Sequence, residues 1–183
     1  MGEGLDVPPL PVTASAAERA ARYELVASAI KAVLAGEDDW VAAMATVACL
    51  LHEAFEYFHW TGFYQAGTPG KDTLVIGPYQ GHMGCLRIPY NRGVCGAAAR
   101  TRSTQPVPNV SQFPGYIACA SSTQSEVVVP VLGPSVPGSH DAGQGRLLLA
   151  VLDVDSDHPA AFTEVDKQYL EELCAWLGQQ VYR

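Results

Sequence analysis

The sequence predicts an α+β fold: a central, mostly antiparallel sheet with helices packed on one face. Three observations predict it. Helix-period apolar patterns stand near the two ends of the chain, two before residue 58 and one after residue 162. Between them lie short, alternating apolar runs punctuated by glycine and proline. The length, 183 residues, is that of one domain, large enough to bury roughly 70% of its unfolded surface without disulfides. Residues 13–183 are expected to form that single domain, and the small, apolar, proline-rich residues 1–12 a poorly ordered tail.

Ser15 and Glu18 make a capping box for a first helix that runs to about Leu34 and stops at Gly36. Asp38 or Asp39 can cap a second, WVAAMATVACLLHEAFEYF, ending near Tyr57. Leu25, Ile30 and Leu34 in the first, and Val47, Leu50 and Leu51 in the second, are the candidate core positions. HWTGFYQA alternates as a strand, with Trp60, Gly62 and Tyr64 on one face. The turn GTPG joins it to DTLVIGP in an antiparallel hairpin. LRIP is a short strand, GVCGAAARTRS a short helix and QPVPNV extended. SEVVVPVL is a strand whose Pro130 indicates an edge or a bulge. A long surface loop, GPSVPGSHDAGQG, precedes RLLLAVLDVDS, the clearest strand. Thr163 and Asp166 cap the last helix, which carries Leu170, Leu173 and Leu177 on one stripe.

Composition excludes several classes of function. The net charge is −8, with no cluster of lysine or arginine, which argues against nucleic acid or an anionic membrane as the partner. The longest apolar run, Trp40–Leu51, is too short to span a bilayer. No signal peptide or lipidation motif is present, so a cytoplasmic protein with reduced thiols is expected. There is no CxxC, HExxH, phosphate loop or nucleophile elbow, and no metal is expected.

The chemistry resides in thiols, carboxylates and aromatics. Cys49 and Cys174 fall inside helices among leucines and alanines, as packing residues do. Cys85, Cys95 and Cys119 lie in glycine- and proline-punctuated sequence, where cysteine is a poor choice for packing. A nucleophilic thiol with nearby resolving thiols is what reduction of an oxidised substrate requires. The thiolate takes up oxygen as a sulfenic acid, and a second thiol condenses with it to a disulfide. Asp153 and Asp155 share a face at the end of the last strand, and Glu126 begins another. If those strands are neighbours, the carboxylates converge on one rim. Solvated strand ends and core packing are the common explanations for such acids and for paired aromatics. The alternative is a pocket for a small, sulfur-containing cation, with acids on one side and Trp60 and Tyr64 on the other.

The run GPYQGHMGCLRIPYNRGVCGAAARTRSTQPVPNVSQFPGYIACASSTQSEVVVPV, followed by LLLAVLDVDSDHPAAFTEVD, resembles the free methionine-(R)-sulfoxide reductases, an enzymatic branch of the GAF-domain fold. RGVCG, FPGxIAC, SEVVVP and LDVDS, in that order, carry the resemblance, which extends from about Glu18 to about Leu177. It implies a GAF-like fold and reduction of free methionine sulfoxide. Cys119 would be the nucleophile, Cys85 the main resolving cysteine and Cys95 an auxiliary one. Trp60 and Tyr64 would surround the methyl–sulfur end, and Glu126, Asp153 and Asp155 would hold the substrate and assist proton transfer. It further implies recycling by thioredoxin (dithiothreitol in vitro), no bound cofactor and, by analogy with GAF domains, a homodimer. The chain departs from the family pattern at Ser111, Tyr116 and Ala120, which replace two histidines and an aspartate. The rival readings are a non-enzymatic GAF module that binds a small molecule and a thiol redox switch without a substrate.

Overall fold

A computed structural model describes residues 5–67, 71–134 and 146–180. In chain order the elements are α1 (Ala16–Val33), α2 (Trp40–Ala54), β1 (Trp60–Ala66), β2 (Thr73–Gln80), β3 (Arg87–Pro89), α3 (Gly93–Thr101), β4 (Gln105–Val107), β5 (Ser125–Leu132), β6 (Leu148–Ser156) and α4 (Glu164–Gln180). The strands form one sheet in the order β3-β2-β1-β6-β5-β4, and every pairing is antiparallel.

Local chemistry sets the helix starts. The Ser15 hydroxyl accepts from the Glu18 backbone N–H, and the Glu18 carboxylate accepts from the Ser15 N–H at 2.8 Å. Asp39 caps α2 through the Ala42 N–H, 2.7 Å away. Alternation sorts the sheet residues into two layers. Phe63, Val127, Val129, Leu152 and Val154 pack with the three long helices on one face. Trp60, Tyr64, Val128 and Val151 point to the other face, which the short α3 covers with Val94, Cys95 and Ala98. The long helices thus gather on one face, and α3, with the short 3-10 turn Val110–Gln112, lies opposite. Pro130 sits beyond Glu126–Val128, the stretch that β4 pairs, and beside a register shift at Val131/Leu132. Missing its N–H, it is tolerated there.

Three local expectations are corrected. Residues 5–12 are not a loose tail: Leu10 pairs with Phe55, bonding to the Ala54 carbonyl and the Glu56 N–H. Leu5, Leu10 and Val12 also pack against the core. That pairing pulls Phe55 into extended backbone, so α2 ends at Ala54 rather than near Tyr57. Leu25 is 45% exposed, because the buried stripe of α1 runs through Tyr23, Val26 and Ile30. Residues 68–70 of the expected GTPG turn, and 135–145 of the long loop, lie outside the described residues.

A buried polar hub joins the long helices. Arg19 bonds Asp166 at 2.6 Å and the Tyr57 hydroxyl at 2.9 Å. Asp166 also accepts from Tyr23, Tyr57 and Thr163. Among the described residues, no helix is long and apolar enough to cross a membrane.

Candidate active site

The α3 face of the sheet gathers the acids. β6 lies between β1 and β5, so Asp153 stands opposite Gly62 and Val128, and Asp155 opposite Trp60 and Glu126. A two-residue step along β6 keeps Asp153 and Asp155 on one face, and the antiparallel register brings Glu126 beside Asp155. Glu126 is 4% exposed and Asp153 6%. These are therefore not solvated strand ends.

Trp60 and Tyr64 form the adjoining wall, stacked with centroids 5.6 Å apart. Tyr79 also stacks with Trp60, at 5.3 Å, and the indole N–H donates to the His82 carbonyl at 2.9 Å. Gly62, between the two aromatics, is dictated by this crowding: a Cβ there would lie 2.3 Å from the Tyr79 Cβ and 2.7 Å from the Trp60 ring.

The loop between β2 and β3 carries Cys85, and the loop after Gly115 carries Cys119. The two are joined in a disulfide with Cα atoms 5.4 Å apart. The Gly93 N–H donates to the Gly115 carbonyl at 3.0 Å, tying the Cys119 loop to the start of α3. Cys95 is not a mobile loop thiol. It sits in the first turn of α3, is buried, and donates to Asp153 Oδ2 at 3.2 Å. Of the other thiols, Cys174 is buried, whereas Cys49 is half-exposed and donates to Glu53 at 3.7 Å.

One cleft is lined by Trp60, Tyr64, Cys95, Cys119, Glu126, Asp153 and Asp155. Cys85, bonded to Cys119, is attached to it. The structure thus brings together every site residue named from the sequence. Sequence reasoning missed the apolar remainder, chiefly Ile88, Val94 and Ile117, whose aliphatic side chains carry no chemical signal. Tyr116 lines the cleft as well; its signal was its departure from the family pattern.

Burial and mutual repulsion shift the acids of the cleft together. Burial pushes Glu126 well above the usual carboxylate range, with the charges of Asp153 and Asp155 adding to it. Burial raises Asp153 to about 7, although hydrogen bonds from Cys95 and Glu126 favour its charged form. Asp155 is raised by burial and then by Asp153. The Cys95 thiol is pushed up by burial, Asp153 and Glu126. Asp153 Oδ1 is buried without a hydrogen-bond partner. Donor atoms of Cys95, Glu126 and Asp153 lie within 4.8 Å of one another, close enough to surround one cation, whether an ammonium or a metal ion.

Residues 38–181 match the GAF domain family. The chain belongs to that family. It is 40% identical over 152 residues to GAF domain-containing protein A of Dictyostelium discoideum, covering 83% of this chain and 87% of that one. It is 37% identical over 148 residues to the free methionine-R-sulfoxide reductase of Saccharomyces cerevisiae, covering 79% and 77%. Among solved structures it is similar to the free methionine-R-sulfoxide reductase from Neisseria meningitidis in complex with its substrate. That likeness has 43% identity and a TM-score of 0.78, over 91% of this chain and 90% of that one. Such coverage on both sides sets the chain among the GAF-domain free methionine-R-sulfoxide reductases, a group of oxidoreductases.

Proposed function

We propose that this protein reduces free L-methionine (R)-S-oxide to L-methionine. The observation that carries the reading is the cleft itself: buried carboxyl groups, with Asp153 Oδ1 left without a hydrogen-bond partner, face an aromatic wall, and a disulfide borders the same space. A metal could not be told from an ammonium by the acids alone, but the stacked rings suit an uncharged methyl–sulfur group, and the similarity to the reductases agrees.

In the reduced protein, the Cys119 thiolate attacks the sulfoxide sulfur while the oxygen is protonated. Glu126, Asp153 and Asp155 are suited to supply that proton, since burial keeps them protonated at higher pH than free carboxylic acids. Methionine leaves and Cys119 retains the oxygen as a sulfenic acid. Cys85 attacks that sulfur and expels water, forming the Cys85–Cys119 disulfide. Thioredoxin returns both to thiols. Cys95, locked in α3 on Asp153, is better placed to shape the acid cluster than to swing toward Cys119, and its role as a resolver is secondary. We expect a homodimer, as in other GAF domains.

The acids read the substrate's ammonium, which a methionine residue inside a peptide lacks. The test is kcat/KM for free R, free S and N-acetylated R sulfoxides with one reductant. The acetylated form should be slower by about two to three orders of magnitude, the equivalent of leaving one member of a buried charge pair uncompensated. The S epimer should fail, because it exchanges the oxygen and methyl positions beside Trp60 and Tyr64. Cys119→Ser should abolish turnover of every form. Equal rates for free and acetylated R substrates would instead mark a protein-repair reductase.

A further inference from the structure

Among the described residues, the two most exposed large apolar side chains bracket the disulfide. Met83 is 80% exposed and Leu86 71%, and Cys85 lies between them. This exposure is not that of a slack loop. Gly81 turns the chain with φ +105°, the His82 carbonyl is held by the Trp60 indole at 2.9 Å, and the Leu86 carbonyl accepts from the Ile76 N–H at 3.1 Å. Both ends of the segment are pinned to the sheet, and the apolar side chains between them face solvent. Met83 also lines the cleft beside Cys119, so a partner that covers this pair of apolar side chains meets the disulfide. The residues that flank this stretch in sequence, His82 and Arg87, are exposed, in a chain whose net charge is −8. A partner that buries the patch can therefore carry acidic groups at its rim.

Resting on the reductase reading above, we propose that Met83 and Leu86 form the docking surface for the dithiol reductase that recycles the enzyme, and that this partner attacks the sulfur of Cys85. A thiolate of the partner bonds to Cys85, and the electron pair of the old S–S bond leaves on Cys119. The partner's second thiolate then attacks its own mixed disulfide and releases Cys85, so two electrons pass to the enzyme and the partner ends as a disulfide. Attack at Cys85 expels Cys119 directly as the thiolate that the next turnover needs.

The experiment compares Leu86→Ser with the unaltered protein under two reductants, dithiothreitol and a thioredoxin system. It adds a trap: a thioredoxin whose second active-site cysteine is serine, incubated with the disulfide form. Dithiothreitol-driven turnover should be unchanged, while kcat/KM for thioredoxin falls about tenfold. The trapped mixed disulfide should map to Cys85 by peptide mass, and form more slowly with the variant. An equal loss with both reductants, a trap on Cys119, or a change of oligomeric state with unaltered thioredoxin dependence would each overturn the proposal. If the unaltered protein reduces no methionine sulfoxide, the reductase reading falls, but the trap still reports which sulfur is attacked and whether Leu86 matters.

Discussion

At Asp153, binding and stability pull in opposite directions. Its carboxyl is raised from 3.8 to about 7, chiefly by burial. The folded protein therefore holds a proton that the unfolded chain has already released at intermediate pH. For an acid shifted this way, stability is greatest below about pH 4, falls as pH rises toward about 7, and is level above that. Asp153→Asn should thus raise the unfolding free energy at about pH 8 by about 1–3 kcal/mol, read as a higher urea midpoint, and flatten the pH dependence of stability. The same change should lower kcat/KM for free methionine sulfoxide by about two orders of magnitude, because the ammonium loses its partner. Urea titrations at two pH values, paired with steady-state kinetics, check both signs. A variant that is destabilised at about pH 8 would show that the carboxylate is already compensated in the free protein.

Among the elements, β1 is closely constrained on both sides. It is sandwiched between β2 and β6, and it places Trp60 and Tyr64 over the acids of β6. Gly62 lets Tyr79 of β2 close on Trp60. Gly62→Ala should displace the Trp60 ring and part the β1–β2 pair, destabilising the fold by about 1–3 kcal/mol as overpacking does. KM should rise more than kcat falls, because the aromatic wall moves while the thiols do not. Indole fluorescence and denaturant midpoints would follow the first effect, and initial rates the second. Helix α3 makes the complementary point. Its sequence, GVCGAAART, is legible as a helix, yet nothing in those residues says that they cover the sheet face opposite the long helices. Only that placement buries Cys95 on Asp153.

At the scale of the whole molecule, the candidate site and the buried polar hub occupy opposite faces of one sheet. The Arg19–Asp166 pair, with relative exposures of 3% and 0%, locks α1 to α4 on the face away from the cleft. Asp166→Ala leaves a guanidinium buried without its carboxylate and removes the acceptor for two tyrosine hydroxyls. The loss should be about 3–5 kcal/mol, read as a lower urea midpoint. Folded protein at low temperature should keep near-normal dithiothreitol-driven turnover, since the network touches no residue lining the cleft. A large fall in kcat of the folded variant would show that the two faces are coupled.

Capping boxes, turn residues, strand alternation and the acidic strand ends were legible in the sequence, because each depends on residues a few positions apart. They sufficed for the α+β class, for most element positions and for the set of residues that meet in the cleft. Tertiary structure decided what depends on distant chain packing overhead. It tied residues 5–12 to Phe55, exposed Leu25, and made Cys95, expected as an auxiliary resolving thiol, a buried hydrogen-bond donor to Asp153. It also raised the carboxyl groups out of their usual range. Burial and pKa depend on what excludes water from a group, and that is settled only when β1, β6, β5 and α3 close around it.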